Sequence, residues 1–105
     1  MPSEAFGLTS STRAAIQQTL AAFHEIEQVI LYGSRAMGRE RLGSDIDLVI
    51  LGPQFTHQQL LRLLTMLDDL MLPYSFDLCR QQDITNPDLL EHIKRAGQLF
   101  YPDGE

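Results

Sequence analysis

Residues 45 to 51 read Asp-Ile-Asp-Leu-Val-Ile-Leu and stop at Gly52-Pro53. A β-rich apolar run closed by Gly-Pro reads as a strand, so the chain must fold around a sheet that takes it in. Two carboxylates stand at its head. Side chains alternate along a strand, so Asp45 and Asp47 share one face, roughly 6.5–7 Å apart along the chain. Two anions on one face repel and are costly to bury unpaired. They either take protons or bind cations. Taken alone, the pair also fits a polar strand edge or a capping role.

The preceding residues narrow the choice. Gly33-Ser34-Arg35-Ala36-Met37-Gly38 opens a loop that also carries Arg39, Arg41 and Gly43. Gly33 has no Cβ, which lets a phosphate approach the backbone. Ser34 offers a hydroxyl and an amide, and a short helix starting there would aim free N–H groups at an anion. Arg35 adds charge. Arg39 and Arg41 fit a solvated loop as well as a phosphate contact. Gly38 and Gly43 let the loop return to the strand. Oxygen-only ligands suit Mg²⁺, which keeps waters and completes its shell with substrate phosphates. Asp77 lies in a similar context, between Phe76 and Leu78. If its strand neighbours the first, three carboxylates could hold two ions about 3.5–4 Å apart, the arrangement of phosphoryl-transfer sites.

Helical and strand patterns alternate along the chain, which indicates an α/β (α+β) domain. A first helix starts near Thr9 to Ser11, with Ile16, Leu20 and Phe23 at helical spacing. Val29 to Tyr32 reads as a buried strand stopped by Gly33. Thr56 and Gln59 make a capping box, Phe55 and Leu60 a hydrophobic staple. The apolar stripe Leu60, Leu63, Leu64, Leu67, Leu70, Met71 follows, with Pro73 ending the helix. Tyr74 to Cys79 is a third strand, with Asp77 and Cys79 on one face. A last helix opens at Asn86-Pro87 with Leu89, Leu90 and Ile93 inward and Gly97 as its stop. Leu99 to Tyr101 suits a short edge strand. The expected architecture is a small mixed sheet of three to four strands packed by helices, in one domain over residues 1–105.

Composition excludes several classes. The formal net charge is −6, which repels nucleic acid and anionic lipid in general. A polyanionic substrate therefore needs a local cationic site or metal ions. With one cysteine, Cys79, no internal disulfide forms, which indicates a reducing cytoplasm. The amino terminus lacks the pattern of a secretory signal. No apolar run approaches the ~20 residues of a membrane helix. A chain of 105 residues has a small core, which leaves room for homo- or hetero-oligomers. His24, His57 and His92 have no metal-ligand spacing. Asp68 and Asp69 read as solvated, and Cys79 as a small buried residue. Neither GxxxxGK[ST] nor GxGxxG is present.

Gly33-Ser34, ten residues, then Asp45-Ile46-Asp47 resembles the signature of the DNA polymerase β-like nucleotidyltransferase superfamily. The GSRAxG opening and SDIDL close resemble its minimal nucleotidyltransferase (MNT) branch, often encoded beside HEPN-domain partners and including MntA-type antitoxins. Met37 departs from the basic or small residue of many relatives. The resemblance implies a nucleotidyltransferase fold, with Asp45, Asp47 and Asp77 as catalytic metal ligands for two Mg²⁺ ions. It implies that Gly33 and Ser34 hold the triphosphate, with Arg35 assisting. It further implies transfer of AMP from ATP to a hydroxyl on a HEPN-like partner, as the antitoxin of a toxin–antitoxin pair. Two other functions fit the same chain: a partner-neutralising module acting by complex formation, and a nucleotide-binding sensor.

Overall fold

The protein is described here by a computed structural model covering residues 6–41 and 45–102. Gly43 and Ser44, expected to close the loop, lie outside the described residues. The elements run α1 (Ser10–Ala21), β1 (Gln28–Tyr32), β2 (Ile46–Leu51), α2 (His57–Asp68), β3 (Phe76–Arg80), a 3-10 turn (Gln81–Asp83), α3 (Pro87–Ala96) and β4 (Gln98–Tyr101). Among the described residues the strands form one sheet in the order β3-β2-β1-β4. β1 pairs antiparallel with both β2 and β4, and β2 pairs parallel with β3. Parallel neighbours need a crossover connection, and α2 supplies it. The Leu99–Tyr101 segment forms the expected edge strand, beginning one residue earlier.

Local chemistry sets the helix starts. The Thr9 hydroxyl accepts the Thr12 amide at the head of α1. The Thr56 hydroxyl accepts the Gln59 amide at 3.1 Å, and the Gln59 side chain accepts the Thr56 amide at 2.9 Å. The Asn86 side chain accepts the Asp88 amide, with Pro87 in the first turn of α3. The capping box at Thr56 has a measurable worth. Thr56→Ala removes the hydroxyl acceptor and is expected to cost about 1 kcal/mol, read as a fall in the thermal midpoint with unchanged far-ultraviolet circular dichroism.

One face of the sheet makes the core. Ile46, Leu48 and Ile50 of β2, Val29 and Leu31 of β1, Leu78 of β3 and Phe100 of β4 are buried together with Ile16 and Leu20 of α1 and Leu60, Leu63 and Leu67 of α2. Phe55 is buried beside Leu60, as the staple requires. No helix among the described residues is long and apolar enough to cross a membrane.

Two helices depart from the sequence pattern. α2 ends at Asp68, not at Pro73. Its last turn has no basic residue, and Asp68 and Asp69 oppose the negative end of the helix dipole. Leu70 and Met71 then close tighter turns onto Leu67 and Asp68. Met71 takes a φ of 56° and is 86 % exposed, so it leaves the core stripe expected for it. α3 forms as expected over Pro87–Ala96 but carries no fully buried residue, and Leu90 is exposed. It lies alone on the outer sheet face, beside a groove of about 310 Å³ lined by Val49, Ile84, Pro87, Leu90 and Ile93. One helix cannot cover a face that two helices cover on the other side.

Candidate active site

The outer face carries the acids. Register places Asp47 directly opposite Asp77 in the parallel β2–β3 pair, and Tyr32 opposite Asp47 in the antiparallel β1–β2 pair. Neighbouring strands lie about 4.8 Å apart, so the Asp47 and Asp77 backbones are as close as two strands allow. Asp45 is the residue before Ile46, the start of β2, and shares the parity of Asp47. Asp45 and Asp77 are exposed, while Asp47 is half-buried. Burial pushes the Asp47 carboxyl above the usual carboxylate range, and Asp77 and Asp45 push it further. The Arg35 guanidinium pulls the other way.

Gly33 ends β1 with a φ of 77° and brings its backbone against Asp47. A Cβ on Gly33 would collide with the Asp47 carboxylate oxygen Oδ2. The missing side chain thus serves the Asp47 carboxylate, a use the sequence did not reveal. The loop beyond it folds as consecutive turns rather than the short helix considered from sequence. The Met37 amide donates to the Gly33 and Ser34 carbonyls, and the Arg39 amide to the Ser34 carbonyl at 2.8 Å. Ser34 is half-buried within these turns.

Arg35, expected at the phosphate, is seated inward. It is 3 % exposed, Nη1 donates to the Phe6 carbonyl at 2.8 Å, and the guanidinium lies 4.8 Å over the Tyr74 ring. Its positive charge acts on the Asp47 carboxylate from inside the protein. Arg39 and Arg41 are exposed.

Three further side chains border the acids. His92 of α3 accepts the Gly33 amide on Nε2 at 3.2 Å, and its ring meets the Tyr32 ring edge-on at 6.2 Å. The Tyr32 hydroxyl and the Cys79 thiol share a contact at 3.8 Å. Burial pushes both groups upward, so at neutral pH the phenol and the thiol keep their protons. A neutral thiol is a poor nucleophile, which leaves Cys79 a packing residue. Metal-ligand spacing does not find His92. The signal was there in another form, because it lies three residues from Leu89 and next to Ile93, on the helix face turned to the sheet.

The donor set fits a hard divalent cation. All three acids offer oxygen, β2 and β3 set Asp47 beside Asp77, and burial, then the Asp77 and Asp45 charges, raise the Asp47 carboxyl. Among the described residues no three His, Cys, Asp or Glu side chains stand close enough to hold an ion as placed. The three-carboxylate cradle expected from sequence is thus not formed by the side chains as placed, and the backbone pairs Asp47 with Asp77 alone. Mutual repulsion favours that spread, and the exposure of Asp45 and Asp77 leaves both room to turn.

A family model described as "Polymerase beta, Nucleotidyltransferase" matches residues 14–105. A chain of a toxin–antitoxin crystal structure determined with AMP-PNP is similar with a TM-score of 0.70 and 19% identity, covering 85% of this chain and 72% of that one. A chain of the complex between tri-AMPylated Shewanella oneidensis HEPN toxin and MNT antitoxin gives 0.64 and 16%, covering 87% and 70%. A chain of the toxin–antitoxin MntA–HepT gives 0.65 and 16%, covering 89% and 72%. Identities this low show a shared fold. No curated protein matches the sequence. With the family model spanning residues 14–105, the protein belongs to the polymerase β-type nucleotidyltransferase family.

Proposed function

We propose that the protein transfers AMP from ATP to a hydroxyl on a HEPN-like partner protein, in the cytoplasm, as the antitoxin of a toxin–antitoxin pair. The observation that carries this reading is the Asp47–Asp77 register beside Gly33. The likeness to toxin–antitoxin structures, one holding an AMPylated HEPN toxin, supports the choice of acceptor. The acceptor oxygen bonds to the α-phosphorus, the bond from that phosphorus to the β-phosphate bridging oxygen breaks, and pyrophosphate leaves. Asp45, Asp47 and Asp77 would hold magnesium, two ions in all, which lowers the pKa of the attacking hydroxyl and offsets charge on the leaving group. The Gly33-Ser34 turn binds the triphosphate. Arg35, behind the turn, helps keep Asp47 ionised and ready as a ligand. Asp77, exposed at the rim, can take the hydroxyl proton.

A second reading, neutralisation by complex formation alone, draws on the incompletely covered groove beside α3. Both readings give a complex, and α-labelled ATP separates them. With magnesium, label is expected on the partner; the double substitution Asp45→Asn, Asp47→Asn stops it. Label passing undiminished from the double variant, or no label from the wild type, would sink the transferase reading.

A further inference from the structure

We infer that His92 is a positioning residue that holds the Gly33 turn in its working shape from the opposite side of the chain. This inference rests on the reading of Gly33-Ser34 as a triphosphate site. The two residues are 59 positions apart, and the Gly33 amide donates to His92 Nε2 at 3.2 Å. That bond requires the neutral ring with its proton on Nδ1. The Tyr32 ring, next in the chain to Gly33, meets the same imidazole edge-on and fixes its plane.

Gly33 needs such a tie. It leaves β1 in the left-handed region, where the strand ladder no longer supplies a partner to its amide, and its backbone bears on the Asp47 carboxylate. A turn free to rotate would displace the Ser34 amide and hydroxyl and so loosen the grip on a triphosphate. His92 removes that freedom by giving the Gly33 amide a fixed acceptor. The arrangement also couples α3 to the acids, although α3 contributes no fully buried residue.

The test compares His92→Leu, which fills the space without an acceptor, with His92→Gln, whose amide oxygen can accept the Gly33 N–H. α3 has no fully buried residue, so neither change touches the inner core. Amide hydrogen exchange at Gly33 should accelerate about five-fold in the leucine variant, the worth of one neutral hydrogen bond. Exchange at Leu31 should stay as in wild type. In the transfer assay KM for ATP should rise about five-fold with kcat within two-fold, and the glutamine variant should recover most of both effects.

Unchanged Gly33 exchange in the leucine variant overturns the inference with the transferase reading intact. So does a kcat loss at constant KM, which places the defect outside triphosphate binding. If the wild-type protein neither binds nor transfers nucleotide, the transferase reading fails instead. Gly33 exchange then still decides whether His92 holds the turn.

Discussion

Asp47→Asn is expected to abolish nucleotide transfer and, in the absence of divalent cations, to make the protein more stable. Asparagine keeps the shape of the side chain and removes its charge. Loss of a metal-ligand carboxylate forfeits several kcal/mol of transition-state stabilisation, so transfer should fall about a thousand-fold. The stability change has the opposite sign because Asp47 faces Asp77 across the parallel pair. Like charges directly opposite cost roughly 0.5–1 kcal/mol, which corresponds to about 2–6 °C in thermal midpoint for a domain of this size.

The pH dependence follows from the direction of the Asp47 shift. Its carboxyl is pushed up in the folded state, by burial first and by Asp77 and Asp45 next. The folded protein therefore binds that proton more tightly than the unfolded chain. The cost of the ionised form is full at neutral pH, shrinks as pH falls through the raised value, and is gone below the usual carboxylate range. In EDTA, the difference in midpoint between Asp47→Asn and wild type should be widest near neutral pH and close on acidification. Added magnesium should raise the wild-type midpoint and leave the variant almost unmoved. A variant that is less stable than wild type in EDTA at neutral pH, yet transfers normally, contradicts both halves of the argument.

Gly33→Ala has the largest effect expected outside the acids. The added Cβ must occupy a left-handed φ of 77° and also the space of Asp47 Oδ2. The backbone conformation alone costs roughly 1–2 kcal/mol. Displacing the carboxylate or opening the turn raises the total to about 2–4 kcal/mol, and transfer should fall at least about a hundred-fold because the metal ligand moves. Gly38→Ala is the control. Gly38 has a φ of 71° but nothing within 4 Å of a built Cβ, so it meets the conformational cost without the collision. Combining Gly33→Ala with Asp47→Ala should be less damaging to stability than the sum of the single changes, since neighbours in contact do not add. Strict additivity would mean that the glycine and the carboxylate do not meet.

Much of the fold was legible because it is set locally. Thr9, Thr56 and Asn86 each cap the helix that follows, and such caps act over three or four residues. The apolar runs at Val29–Tyr32 and Ile46–Leu51 became the two central strands. Where local signals competed, pattern misled. The leucine stripe pointed past Asp68, but two acids without a basic partner ended the helix there and turned Met71 to solvent. Leu90 matched an inward face on α3, yet that helix lies unaccompanied on its side of the sheet.

The candidate site divides in the same way. Alternation within β2 gives Asp45 and Asp47 one face, since the pleat fixes it whatever surrounds the strand. Alternation within β3 gives Asp77 a face too, but not a neighbour. Only the parallel pairing of β2 with β3 sets Asp77 against Asp47, and α2 carries the chain across to make that pairing. The seat of Arg35 over the Tyr74 ring, the abutment of Gly33 on Asp47 and the reach of His92 to the Gly33 amide belong to the same class. Each joins residues that no helical or strand period relates. A linear sequence encodes short-range preferences directly, whereas contacts between distant segments arise from packing the whole core.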